Sequence, residues 1–211
     1  MKTTRLRIPL LSLLLFAATF ALFFPATSFS LVNFDDPVFI THNPILFNGF
    51  SWDAVRRAFT GLYGDECMYV PLLWVSFLFD LKLFGATAMD PWGFHFGNVL
   101  VHAANSVLLF HLLLAFCKKP WRAFFFAALW SLHPLRVESV AWVTSRKDIL
   151  STFFALLAVG AYVWAWLGQR GATDPAMPAA RPARLPLVAA FAFFLMGLLV
   201  KPMLDTIPCL M

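Results

Sequence analysis

Four stretches of this chain, residues 8–34, 91–117, 149–169 and 185–200, contain no Asp, Glu, Lys or Arg. About 20 mostly apolar residues cross the ~30 Å hydrocarbon core of a bilayer as a helix. The first three stretches hold 27, 27 and 21 residues and the last holds 16. Backbone groups in lipid find no water to bond, so such segments must satisfy their own N–H and C=O groups, as a helix does. Membrane β-strands alternate polar and apolar residues over about ten positions, and these stretches do not. The expected fold is therefore all-α, a polytopic membrane helix bundle. Only 13% of the 211 residues are charged and 61% are hydrophobic, whereas soluble domains carry about 25% charge.

The few charges set an orientation. The net charge is +5, but the basic residues stand in twos and threes between apolar runs, which is a topology signal and not a nucleic-acid-binding stripe. If residues 67–84 lie at the membrane interface, one side holds Lys2, Arg5, Arg7, Lys118, Lys119, Arg122, Arg170, Arg181 and Arg184 against Asp174 alone. That side is cytoplasmic by the positive-inside rule; were 67–84 to span, the basic loops would fall outside. The expected topology is about five spanning helices near 8–30, 92–117, 121–136, 149–168 and 185–201, with an external loop at 31–91. The first run also fits a signal peptide ending near Ala26-Thr27-Ser28, but its apolar part exceeds the usual 7–15 residues, which favours an uncleaved helix. Gly168 to Pro186, rich in Ala and Pro, reads as a cytoplasmic connection. Cys67, Cys117 and Cys209 form no CxxC pair, so they indicate neither a zinc site nor a disulfide framework.

Within the external loop, Ser51 to Gly61 has an N-cap Ser, apolar residues at 52, 55, 59 and 62, and a terminating Gly. Pro71 to Phe84, followed by Gly85, starts with Pro at a tolerated position and places Ser76 and Asp80 on one face. Both read as interfacial amphipathic helices. Upstream, Asn33-Phe34-Asp35-Asp36-Pro37 is either a solvated turn or a positioned acid/base pair. Two adjacent carboxylates also admit a divalent cation, although they do not by themselves make a site, and no metal site is assigned.

Polar residues also sit where lipid is expected. His95, Asn98, His102 and Asn105 fall within about 80° of one another on the second helix. The stripe either bonds neighbouring helices or lines a substrate path. In the third segment His133-Pro134 interrupts the run, and Pro removes a backbone donor. A broken helix whose tip folds back at the external surface is expected, since such backbone is tolerated where it lines a cavity. Arg146 and Lys147, before the fourth helix, either mark the membrane boundary or bind a lipid-linked phosphate. Lys201 offers the same choice.

Taken together, Asn33-Phe34-Asp35-Asp36, Tyr69-Val70-Pro71-Leu72 with Ser76 and Asp80, Gly93-Phe94-His95 with Asn98, His102 and Asn105, the block from His133 to Asp148, and Lys201-Pro202-Met203 resemble the membrane domain of the transmembrane-and-tetratricopeptide-repeat proteins. These belong to the polytopic C-type glycosyltransferase fold. The resemblance implies transfer of a sugar, mannose-like, from a polyprenyl-phosphate donor to a protein hydroxyl on the non-cytoplasmic side. It implies a base for the acceptor hydroxyl at Asp35 or Asp36; position in the chain does not decide between them, and Asp35 is taken as the base with Asp36 as the secondary position. Arg146 and Lys147 would bind the lipid phosphate, with Glu138 and His133 orienting them or the sugar and His102 lining the substrate site. Partners would be the lipid-linked donor, a protein acceptor and membrane lipids, with no nucleic acid and no assigned cofactor. The location would be the inner (plasma) membrane of a bacterium or the endoplasmic reticulum of a eukaryote.

Family members continue with further helices and tetratricopeptide repeats. The sequence ends at Met211 without such repeats, so a partial domain, inactive by itself, is expected. Two other functions stay open: a non-enzymatic membrane anchor or assembly module, and a transporter or lipid flippase using the His/Asn stripe.

Overall fold

The computed structural model describes residues 2–47, 49–61, 69–170 and 184–202. Among these residues the chain is all-helical, without a strand. In chain order the helices are α1 (Lys2–Phe23), α2 (Trp52–Thr60), α3 (Pro71–Phe84), α4 (Trp92–Cys117), α5 (Pro120–Ser131), α6 (Arg136–Ala141), α7 (Arg146–Arg170) and α8 (Arg184–Leu198). A 3₁₀ turn over Phe24–Ser28 prolongs α1, and a π turn spans Pro37–Thr41.

Three helical segments, Arg7–Ser28, Trp92–Cys117 and Arg146–Gln169, are long and apolar enough to cross a membrane. The other two expected spans form shorter helices. At 1.5 Å per residue, α5 and α8 reach roughly 18 and 22 Å, short of the ~30 Å core. The third segment is broken as expected: α5 stops at Ser131, a turn carries His133 and Pro134, and α6 runs for six residues before a second break ahead of α7. Most of the expected connection between Gly168 and Pro186, together with Cys67, Met203 and Cys209, lies outside the described residues.

The bundle helices α1, α4, α5, α7 and α8 alternate in direction. Ser12 Oγ near the start of α1 lies 3.1 Å from His111 Nε2 near the end of α4. Further along, the Thr19 hydroxyl donates to Ser131 Oγ at 3.3 Å, so α5 runs parallel to α1. Lys201, just past α8, pairs with Asp148 at the start of α7. Where α1, α4 and α5 meet, Leu11, Leu15 and Phe110 pack on Ala123 and Ala127. Small residues let backbones approach closely, which is how helices gain contact in lipid, where apolar burial alone gives no advantage.

The segment between α1 and α4 folds into a cap on one end of this bundle. Ser51 Oγ accepts from the Ala54 N–H at 3.0 Å and starts α2. Gly85, at φ 64°, ends α3 in the left-handed conformation that glycine adopts without a Cβ penalty. Apolar residues of the π turn, α2 and α3, among them Phe39, Ala54, Trp74 and Phe77, form one core with Phe94 of α4 and Val143. The cap and the bundle therefore share packing, and the α6–α7 connection is clamped between them.

Ala127 is fully buried at the α1–α4–α5 contact, so Ala127→Leu should overpack it at a cost of about 1–3 kcal/mol. A lowered thermal unfolding midpoint in detergent checks this. Phe126→Leu, at an exposed neighbour, should leave the midpoint nearly unchanged.

Candidate functional site

Two segments remote in sequence lie side by side at the capped end of the bundle: residues 32–36, after α1, and residues 142–147, which lead from α6 into the first turn of α7. Asp36 joins them and is wholly buried. Its Oδ2 accepts from the Val32 N–H at 2.7 Å. Its Oδ1 accepts from the Thr144 N–H at 3.1 Å and from the Thr144 hydroxyl. Three donors on one buried carboxylate make a strong acceptor, and Asp36 presents no face to solvent.

Asp35 points the other way. Its side chain is 32% exposed and lies 3.5 Å from Nζ of Lys147, which is 22% exposed. The Lys147 ammonium also sits 5.3 Å from the centre of the Phe39 ring. The structure thus separates the two carboxylates that the sequence left equivalent. Asp35 is accessible beside a cation, and Asp36 is an internal tie.

Arg146, one residue before Lys147, is buried. It pairs with Asp80 of α3, donates from Nε to Asn98 Oδ1 at 2.6 Å, donates from Nη2 to the Phe94 carbonyl, and lies 4.6 Å from the centre of the Phe77 ring. Its guanidinium is engaged inside the protein. Burial pushes the Asp80 carboxyl up to about 6, against the pull of the Arg146 charge. This cluster needs Gly97: a Cβ there would stand 2.7 Å from Arg146 Nη2 and 2.8 Å from Asp80 Oδ1. Gly93, one turn earlier, likewise leaves room for Phe84 and Ala86. Sequence reasoning took Gly93 only as part of the family pattern and missed Gly97, although two glycines four apart on one helical face are a signature of close approach. Thr144 was missed as well, and nothing local in its sequence marks it.

Three residues of the polar stripe on α4, Asn98, His102 and Asn105, bond neighbouring backbone. Asn98 Nδ2 donates to the carbonyls of Val140 and Trp142, each at 3.1 Å, and Asn105 Nδ2 donates to the Ile149 carbonyl at 2.7 Å. His102 Nε2 donates to the Ser131 carbonyl at 2.9 Å, with its ring between Phe23 and Trp130. His102 is therefore placed among packed helices, away from Asp35. His133 and Glu138 are exposed on the turn after α5 and on α6. His133 Nδ1 accepts from the Leu135 N–H at 3.2 Å. Among the described residues no hydrogen bond or ion pair ties either side chain to Asp35 or Lys147. Nor do the described residues gather three His, Cys, Asp or Glu side chains into a group that would hold a metal.

Comparison with known proteins meets this geometry from outside. The chain is 29% identical over 176 residues to Protein O-mannosyl-transferase Tmtc2 of Drosophila melanogaster, a match that covers 80% of this chain and 18% of that protein. It is 31% identical over 121 residues to Protein O-mannosyl-transferase tmtc2 of Xenopus laevis (57% and 14%) and 35% identical over 95 residues to Protein O-mannosyl-transferase TMTC1 of Mus musculus (44% and 10%). Over these stretches the chain is similar to TMTC proteins. It spans less than a fifth of the length of these proteins. No family model and no solved structure matches it.

In this chain the exposed end offers a carboxylate able to accept a proton and an ammonium able to meet an anion, carried on two segments held in place from within. An exposed ion pair is worth about 0–1 kcal/mol. Either partner is therefore released to a ligand at small cost, whereas Asp36 and Arg146 are not.

Two outcomes follow for the buried cluster. Gly97→Ala should displace the Asp80–Arg146 pair and lower stability by several kcal/mol, since a disturbed buried pair costs about 3–5 kcal/mol; unfolding in detergent measures it. The folded-state pKa of Asp80, about 6, lies above its unfolded value of 3.8. The folded chain therefore holds this proton longer, and the resulting stabilisation is complete below about pH 4 and fades as pH rises through 6. Asp80→Asn should flatten that segment of the stability–pH curve.

Proposed function

We propose that this chain is the donor-binding membrane part of a multi-pass glycosyltransferase that moves a sugar, mannose-like, from polyprenyl phosphate to a protein hydroxyl, and that transfer occurs where Asp35 meets Lys147. The carrying observation is that pair: a partly exposed carboxylate 3.5 Å from a partly exposed ammonium, on segments locked together by Asp36 and Thr144. The names of the TMTC relatives support the reaction class.

The acceptor hydroxyl oxygen attacks the anomeric carbon while Asp35 takes its proton, a task that requires the carboxylate within about 2.6–3.2 Å of that hydroxyl. The bond from the anomeric carbon to the phosphate oxygen breaks, and its electron pair stays on that oxygen. The polyprenyl phosphate leaves as a monoester with one more negative charge, which Lys147 offsets at the place where it develops. Arg146 acts as a positioning residue: its bonds to Asp80, Asn98 and Phe94 hold the first turn of α7 so that Lys147 faces outward. His133 and Glu138, exposed nearby in the chain, orient the sugar or the acceptor, and His102 serves packing.

The same end of the bundle lies opposite the Lys118, Lys119 and Arg122 turn between α4 and α5. By the positive-inside rule that turn is cytoplasmic, so the site faces away from the cytoplasm, toward the lumen of the endoplasmic reticulum or outside a bacterial inner membrane. The assembly-module reading draws on the α4 stripe, whose side chains tie helices together.

In a transfer assay on membranes, Asp35→Asn should cut the rate by about 10²–10⁴-fold, the contribution of a general base, without lowering the yield of folded protein. Lys147→Ala should raise KM for the donor. Asp36→Asn should lower both yield and activity, because it removes the charge and sets an amide NH2 in place of one carboxylate oxygen, facing a donor. Undiminished transfer by Asp35→Asn would sink the assignment and favour the assembly module.

A further inference from the structure

The two apposed segments touch at a third point. The Phe34 ring lies against the Trp142 ring, with centroids 5.8 Å apart and planes at 54°. Along 34–36 and 142–147 the contacts are therefore aromatic on aromatic, carboxylate on cation, and the buried Asp36–Thr144 tie between them. The tie is internal, but the aromatic contact is not: Phe34 is 72% exposed. Its backing is held firmly. The Trp142 carbonyl accepts from Asn98 Nδ2 at 3.1 Å, and its N–H donates to the Glu138 carbonyl at 3.2 Å.

An exposed aromatic ring costs apolar burial that packing would otherwise recover. A lipid contact would explain it, but Phe34 adjoins Asp35, whose partner is Lys147, and an ion pair belongs in a wet place and not in hydrocarbon. The three exposed groups instead match the three parts of one ligand class. A π face with its negative quadrupole takes the weakly positive C–H face of a pyranose, a carboxylate takes hydroxyls, and an ammonium takes a phosphate.

We propose that Phe34, backed by Trp142, is the platform on which the sugar ring of a phosphate-linked donor stacks, beside Asp35 and with its phosphate toward Lys147. This rests on the glycosyltransferase reading and adds to it the residues that contact the sugar. It requires the aromatic face, not merely an apolar side chain, at position 34.

Equilibrium binding to the intact chain in detergent separates the alternatives. The probes are short-chain polyprenyl phosphates carrying mannose, glucose or galactose, and the same polyprenyl phosphate without sugar. The wild type should bind at least one sugar-bearing probe more tightly than the bare one. Phe34→Leu should weaken that probe by about threefold to tenfold, the scale of an aromatic contact beyond its burial, while leaving the bare probe unchanged; Phe34→Tyr should restore it. Equal binding by Phe34→Leu and wild type overturns the platform, as does an equal loss for sugar-bearing and bare probes, which would place the lipid on Phe34. A wild type that binds bare and sugar-bearing probes alike also overturns it. If the wild type binds none of them, the donor-binding reading fails and the platform with it. Phe34 lies at the surface, and an unchanged unfolding midpoint for each variant shows that binding and not folding has been measured.

Discussion

A guanidinium buried in the protein holds this fold together. Removing Arg146 from water costs several kcal/mol that a single partner rarely returns. Here Asp80 comes from α3, Asn98 and the Phe94 carbonyl from α4, and the face of Phe77 again from α3. The cation therefore binds the cap to the bundle at the point where α7 begins. Gly97 makes the approach sterically possible, and Asn98 then uses its amide nitrogen on the carbonyls of Val140 and Trp142. From one buried charge the position of α6, the second helix break and the segment 142–147 all follow.

That arrangement divides four charged residues into two kinds. Asp36 and Arg146 are internal, with their hydrogen-bonding capacity committed to Val32, Thr144, Asp80, Asn98 and Phe94. Asp35 and Lys147, their immediate neighbours in sequence, emerge at the surface with only each other and a ring face for company. In each couple one residue fixes the backbone and the next presents a reactive group. Preorganisation of this sort is what a site needs if its groups are to hold position while charge moves between substrates.

Local signals of the fold were legible in the sequence. Ser51, Pro71 and Gly85 act at the helix ends where turn chemistry places them. His133-Pro134 breaks the third segment, and the uncharged stretch 91–117 becomes a single helix from Trp92 to Cys117. The α4 stripe was legible as a stripe, but not its partners, since helical periodicity states which residues share a face and not what faces them. The roles of the charges were less accessible. Asp80 meets Arg146 across 66 positions and Asp36 meets Thr144 across 108. No spacing within one element encodes either meeting, so Arg146 and Lys147 read as a single phosphate-binding doublet, and position alone gave no ground for choosing between Asp35 and Asp36. Helix length was legible only in part: an apolar run that contains a Pro-led break yields α5, too short by itself for a bilayer core.

The separation of 108 residues between Asp36 and Thr144 also has a temporal meaning. Every element from the π turn to α6 must be made before this contact can close, and loop-closure entropy disfavours contacts of such long range. The exposed Asp35–Lys147 pair therefore cannot form until α3, α4 and α5, which lie between its partners in the chain, have been made. A chain misassembled anywhere along that path would carry all of its residues and still lack the juxtaposition, so the site doubles as a certificate that the protein around it is complete.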